Sequence, residues 1–213
     1  MSNQQTVVLL DGGMGQELIK RSANAPTPLW SATVMRDEPD LVTTVHADYI
    51  QADARVITLN NYSATPVRLA KHGLSTAFSE LHQAAITAAQ RAIAQTKPTH
   101  PVAVAGCLPP LVSSYHAEDV PSEAACLADY RALVAAQKDG VNLFLCETLT
   151  TVREVQTAAT AGKESGHPVW VGMTVDDQDG TRLRSGESLA DGVAAAKACG
   201  AAAVLINCSW PEA

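Results

Sequence analysis

Six short, almost continuously apolar runs recur along the chain, each followed by a longer stretch or by polar residues. They cover residues 7–10, 55–59, 102–105, 143–146, 169–174 and 203–206. A strand with one wet face alternates apolar and polar residues. A run apolar at every position fits a strand buried on both faces, as in a parallel sheet. The stretches between carry helical spacing. Residues 40–54 place Leu41, Val42, Val45, Tyr49 and Ile50 along one face, with Pro39 suited to the first turn. Residues 76–95 and 123–138 are rich in alanine. Residues 151–164 open with Thr151 and Glu154 at capping-box spacing. Residues 188–199 stop at Gly200. Strand and helix alternating in this way predict a parallel sheet covered by helices.

Two architectures satisfy that pattern, an open doubly wound sheet and a (β/α)8 barrel. The C-terminal ends of the runs separate them. Asp11 with Gly12 and Gly13, Asn60 with Asn61, Cys107, Glu147 with Thr148, Thr174 with Asp176, and Asn207 with Cys208 all stand there. A barrel gathers its site from many strand ends, whereas an open sheet gathers it at one switch point. The expectation is therefore an α/β fold of the (β/α)8 TIM-barrel type. A complete barrel takes roughly 250 residues, and this chain has 213. About six of eight β-α units are expected, as one barrel domain over residues 1–213 that is incomplete at its C-terminus. The outer edges of the first and sixth strands would then be open, which favours association and is compatible with a homo-oligomer.

Hydrophobic residues make up 46% and charged residues 17%, enough to bury a core and too little charge for a disordered chain. The net charge is −7 with no basic run, which argues against nucleic acid and anionic membranes as partners. No apolar run reaches the length of a signal sequence or a membrane span, so a cytoplasmic protein is expected. The five cysteines, at 107, 126, 146, 199 and 208, have no paired spacing and read as free thiols.

Three places offer chemistry. In Asp11-Gly12-Gly13-Met14-Gly15, glycines let backbone N–H groups approach a carboxylate or phosphate. A tight turn after a strand accounts for them equally well, and Leu18 stands where a dinucleotide fingerprint needs its third glycine. Glu147 ends an apolar run, where an unpaired charge is costly and a substrate ammonium would satisfy it. Proximity to the helix starting at Thr151 is its other use. Cys208, at the tip of the last run, is placed for a metal or a substrate. Cys107 is open between roles, while Cys146 and Cys199 read as packing residues. His46 reads as a satisfied core histidine, His116 as a solvated loop residue, and Asp176, Asp177 and Asp179 as a solvated turn. Trp30 fits either the core or the mouth of the barrel.

Four elements, in order, resemble the homocysteine S-methyltransferases: Leu10-Asp-Gly-Gly-Met-Gly-Gln-Glu-Leu18, Thr58-Leu-Asn-Asn-Tyr62, Cys146-Glu-Thr-Leu-Thr-Thr-Val-Arg-Glu154, and Asn207-Cys208. The resemblance runs from about residue 7 to the end. It implies a barrel that transfers a methyl group from a small donor to the thiol of homocysteine, giving methionine. It also implies Zn2+ held by three cysteine thiolates. Cys208 matches the first ligand. The other two belong to a Gly-Gly-Cys-Cys element that does not occur within residues 1–213. By the same resemblance Asp11 and Glu147 face the substrate's amino group, Gly12 and Gly13 its carboxylate, and Asn207 lies with the substrate-binding residues. Tyr115 borders a donor pocket. No catalytic side chain is implied beyond the metal-activated substrate thiol. Two alternatives fit the residues as well: a metal-independent aldolase- or dehydratase-like barrel using Glu147 as a proton shuttle, and a barrel fragment inactive for want of two zinc ligands.

Overall fold

The computed structural model describes residues 7–213. Five strands, β1 (Val56–Thr58), β2 (Ala103–Leu108), β3 (Leu143–Leu149), β4 (Val169–Met173) and β5 (Ala203–Ile206), form one sheet in chain order. Every pairing is parallel, with Val56 opposite Ala103, Ala105 opposite Leu143, Phe144 opposite Val169 and Trp170 opposite Ala203.

The first expected strand is shorter than its sequence suggests. Only Leu10 bridges to Val56, in parallel, and the Arg55 and Asp11 N–H groups donate to the carbonyls of Leu9 and Val56 at 2.8 and 2.9 Å. Val7, Val8 and Leu9 are exposed. Among the described residues this run has a neighbour on one side only, so its second edge is not buried.

Among the described residues eight α-helices accompany the strands: α1 (Met14–Arg21), α2 (Trp30–Asp37), α3 (Pro39–Gln51), α4 (Pro66–Lys71), α5 (Phe78–Thr96), α6 (Glu123–Gln137), α7 (Val152–Glu164) and α8 (Leu189–Ala198). Helices α3, α5, α6, α7 and α8 occupy the stretches expected from spacing. Helix α7 starts with the anticipated capping box: the Glu154 N–H reaches the Thr151 hydroxyl, and the Glu154 carboxylate accepts the Thr151 N–H. Helices α1, α2 and α4 were not expected; six to eight residues long, they show too few turns for a periodic pattern.

The helices decide between the two architectures. Phe144, Cys146, Val169, Val171 and Met173 share a core with buried residues of all the longer helices. Val56, Ala105, Leu143 and Leu145 form a separate cluster, joined by Leu10, Ala103, Trp170 and Leu205, with no helical residue in it. Helices therefore cover one face of the sheet, as in a barrel wall, and not both, as in a doubly wound sheet. The other face is lined by strand side chains alone. Among the described residues, no helix is long and apolar enough to cross a membrane.

Candidate active site

The C-terminal ends of the strands open onto one cavity of about 620 Å³. Asp11, Gly12, Gly13, Asn60, Glu147, Asn207 and Cys208 all line it, together with Thr58, Tyr62, Tyr115 and Thr148. The structure thus brings together the Asp11-Gly-Gly turn, Asn60, Glu147, Asn207 and Cys208, while Asn61, Cys107, Thr174 and Asp176 lie outside the lining. It adds two residues that sequence reading did not single out: Arg68 along the wall, and Arg184, which donates to the Cys208 carbonyl.

Asp11 follows directly on the Leu10 bridge. Its carboxylate accepts the Thr58 N–H at Oδ2 (2.6 Å) and the Thr58 hydroxyl at Oδ1 (3.1 Å). Burial raises its pKa to about 7; the Thr58 hydrogen bonds oppose the rise and the nearby Glu147 carboxyl adds to it. The chain then turns past α3, where a Cβ on Gly12 would stand 2.9 Å from the Tyr49 hydroxyl oxygen. A side chain there would have to displace the Tyr49 ring. Gly13 caps α1, whose first turn also lines the cavity, so the positive end of a helix dipole faces it.

Glu147, on β3, lines the same cavity, close enough for its charge to act on Asp11. Cys107 on β2 donates its thiol to Glu147 Oε1 at 2.7 Å. Burial raises the Glu147 pKa, and the thiol hydrogen bond opposes this. Two carboxyl groups, each raised by burial and set against one another, make a site that a single cation would satisfy. Helix α7 takes its cap from Thr151 and Glu154, so Glu147 is left outside that cap.

Beyond Glu147 the strand is irregular. The β3–β4 register shifts between Cys146 and Leu149, and Thr148 has φ 61°. Its N–H donates to Asn207 Oδ1 (2.9 Å), and Asn207 Nδ2 donates to the Thr148 hydroxyl (3.0 Å). This pair spans from β5 to β3, over Gly172 of β4. A Cβ on Gly172 would meet the Cys146 carbonyl at 2.9 Å and Asn207 Oδ1 at 3.1 Å.

Cys208, with φ 54°, follows Asn207. The Thr148 hydroxyl and Asn207 Nδ2 each lie 3.4 Å from its Sγ. Its carbonyl accepts from the Thr174 hydroxyl (3.1 Å) and from Arg184 Nη2 (3.2 Å). Arg184 also pairs with Asp177 at 2.9 Å and lies over the Tyr115 ring, 4.8 Å from its centroid. Opposite, the Tyr62 hydroxyl meets Ser114 at 2.7 Å, and burial pushes its pKa up. Arg68 covers the Tyr62 ring while donating to the Val112 and Pro110 carbonyls.

Backbone strain gathers here. Six non-glycine residues among those described have positive φ, and four of them (Trp30, Tyr115, Thr148 and Cys208) line this cavity. Such conformations cost on the order of 1–3 kcal/mol each and persist where their surroundings hold them. For β-branched Thr148 the conformation is a true outlier.

The remaining candidates divide between the cavity and other parts of the fold. Trp30 stands at the cavity wall, its Nε1 donating to the Gly15 carbonyl at 2.9 Å. His116 is exposed and paired with Glu118. Asp177 is not simply solvated: besides Arg184, it accepts the Trp210 N–H at 2.9 Å. His46 is fully buried, but among the described residues neither ring nitrogen has a hydrogen-bond partner. The expected satisfied histidine is thus corrected to an unsatisfied one, and burial lowers its pKa to about 4, which keeps it neutral.

A metal site needs several ligands at once. Among the described residues, no group of three or more His, Cys, Asp or Glu side chains is placed to hold an ion. Cys208 offers a single thiol at the cavity wall, and the residues present do not by themselves fit a catalytic zinc.

The chain resembles known proteins over almost its whole length. The family profile described as Homocysteine S-methyltransferase matches residues 8–213. A homocysteine S-methyltransferase of Escherichia coli is 33% identical over 97% of this chain and 70% of its own length. A selenocysteine Se-methyltransferase of Brassica oleracea is 29% identical over 96% of this chain and 66% of its own length. The solved homocysteine methyltransferase MmuM of E. coli, in its metallated form, superposes with a TM-score of 0.85 at 30% identity, over 98% of this chain and 77% of that one. Its apo form superposes with a TM-score of 0.75.

Proposed function

This chain belongs to the homocysteine S-methyltransferase family, and from that premise we propose that its cavity binds homocysteine as the acceptor of a methyl group, in a zinc-dependent reaction that yields methionine. The observation that carries the reading is that Asp11 and Glu147, coupled through charge, line one cavity together with Cys208 and the first turn of α1. The two carboxyls suit the substrate ammonium. The glycine turn and the positive end of α1 suit its carboxylate. The amino acid so held would direct its side-chain thiol along the wall toward Cys208. The donor is a small molecule with an electrophilic methyl group.

What these residues do is recognition and orientation. Asp11, fixed by Thr58, and Glu147 pair with the ammonium. Asn207 and Thr148 hold the turn that presents Cys208. Homocysteine needs deprotonation to become a good nucleophile, and a zinc ion held by a complete ligand set would supply that chemistry. Of the ligands such an ion requires, residues 1–213 contribute Cys208, with no further group of metal-binding side chains beside it among the described residues. Five free cysteines fit a reducing compartment, and we assign the enzyme to the cytoplasm.

Calorimetric titration with homocysteine tests this reading. Binding should depend on the amino group, and Glu147→Gln should weaken it more than about tenfold, since a hydrogen bond to a charged group is worth about 1.5–3 kcal/mol. Equal affinity of the variant and the parent would overturn the assignment of Glu147.

A further inference from the structure

A buried cysteine in a sheet is ordinarily a small apolar filler. Cys107 departs from that. It is wholly buried on β2, yet its Sγ lies 2.7 Å from Glu147 Oε1. Among the described residues it is the one hydrogen-bond donor to that carboxyl, and Oε2 has none.

The peptide that bears Cys107 is itself clamped. The Gln137 side chain, fully buried on α6, accepts the Cys107 N–H at 2.9 Å and donates to the Cys107 carbonyl at 3.2 Å. Asn61 Nδ2 donates to the same carbonyl at 3.3 Å. Gly106 makes room for this: a Cβ there would lie 2.6 Å from the Phe144 ring and 3.0 Å from Gln137 Oε1. Two side chains from separate parts of the chain thus clamp the peptide of the one residue whose thiol points at a Glu147 carboxyl oxygen.

We propose that Cys107 is a positioning residue for substrate recognition: its S–H holds Glu147 Oε1, and this turns Oε2 toward the ammonium of the amino-acid substrate. The proposal rests on the reading of Glu147 given above. The thiol remains a donor throughout, because burial and then the adjacent Glu147 carboxylate push its pKa well up. Glu147 is thereby oriented by a neutral group. A lysine or arginine in the same place would neutralise the carboxylate and compete with the substrate ammonium.

The test compares two ligands on the same protein: L-homocysteine, and 4-sulfanylbutanoate, which lacks the amino group. Cys107→Ala should raise the Kd for homocysteine by about fivefold to tenfold, the loss expected when a charged group is left misoriented. The Kd for 4-sulfanylbutanoate should stay within about twofold, because it makes no ammonium contact. Cys107→Ser, which keeps a donor at nearly the same volume, should recover most of the homocysteine affinity and guards against a simple folding defect. Equal weakening of both ligands in Cys107→Ala would reduce Cys107 to packing and overturn the proposal. So would unchanged homocysteine affinity in a protein where Glu147→Gln does weaken it. If Glu147→Gln itself leaves homocysteine binding intact, the underlying reading of Glu147 fails and the proposal with it.

Discussion

Asn207 and Thr148 exchange two hydrogen bonds across an intervening strand, one at 2.9 Å and one at 3.0 Å. The bridge exists because Gly172 lies beneath it without a side chain. It holds both Thr148 and Cys208 in left-handed conformations that neither residue favours. Gly172→Ala should therefore act on the site more than on the fold. The new methyl group meets a backbone carbonyl and the Asn207 amide oxygen, and overpacking of this kind costs about 1–3 kcal/mol. The expected outcome is loss of Cys208 presentation, read as a changed rate of alkylation of its exposed thiol, in a chain that still folds. An alkylation rate equal to the parent's would show that the bridge does not set the Cys208 geometry.

Asp11 predicts a pH dependence. Its pKa is raised to about 7, so near pH 6 the free protein holds Asp11 mostly protonated and unable to pair with an ammonium. Above pH 7 it is ionised. Homocysteine affinity should therefore rise about tenfold between pH 6 and 8, and the bound ammonium should hold Asp11 ionised, releasing a proton on binding below pH 7. Asp11→Asn should bind weakly and with a flat profile over that range. Calorimetry in buffers of different ionisation enthalpy measures the proton release directly. A parent profile as flat as the variant's would remove Asp11 from the ammonium site.

These two relationships show what the sequence carries and what it does not. The long helices were legible from local pattern, and the Thr151–Glu154 cap lies within four residues. The strand ends were legible as well, because polar residues punctuate apolar runs there. The Asn207–Thr148 bridge spans 59 positions and the Thr58–Asp11 contact 47, and nothing in the local sequence announces either. Arg184 stands in a polar loop among other charged residues, and its role emerges only when Tyr115, Asp177 and Cys208 converge on it. The first strand was over-read for the converse reason. Its apolar residues look like a buried strand, but Val7, Val8 and Leu9 have no neighbour on one side among the described residues.

Two buried histidines predict acid sensitivity. Burial lowers both His46 and His82 from 6.5 to about 4. The unfolded chain takes up protons on these rings below pH 6.5, while the folded chain resists until about pH 4. The stability that neutral histidine confers is thus full above pH 6.5 and is lost as pH falls through that window. Each ring contributes at most on the order of 3 kcal/mol to the loss. Among the described residues His46 has no hydrogen-bond partner at either nitrogen, whereas His82 Nε2 meets the Ala64 carbonyl at 3.1 Å. His46→Leu should therefore raise stability at pH 7 by about 1–3 kcal/mol, by removing unsatisfied polar atoms, and should reduce the drop between pH 7 and pH 5. Urea denaturation at the two pH values checks both effects. A variant that is less stable than the parent at pH 7 would show that His46 has a partner after all.

Metal binding gives the last prediction. Tight zinc sites depend on several deprotonated ligands held in place together, and a catalytic site normally has three from the protein. The Cys208 thiol is available at the cavity wall, and no cluster of further ligands accompanies it among the described residues. Cys107 is committed to Glu147, and burial keeps it protonated, so it is a poor candidate to complete a site. Cys146 and Cys126 are buried away from the cavity lining. Purified residues 1–213 should accordingly retain well under one zinc per chain after dialysis. They should also transfer no measurable methyl group to homocysteine from a sulfonium, quaternary ammonium or methyl-cobalamin donor. Homocysteine should still bind, because the ammonium and carboxylate contacts do not require the ion. Elemental analysis and a labelled-methyl assay on the same preparation decide the matter. One tightly held zinc per chain, lost on Cys208→Ser and accompanied by methionine formation, would mean that other side chains of these 213 residues move in to complete the coordination.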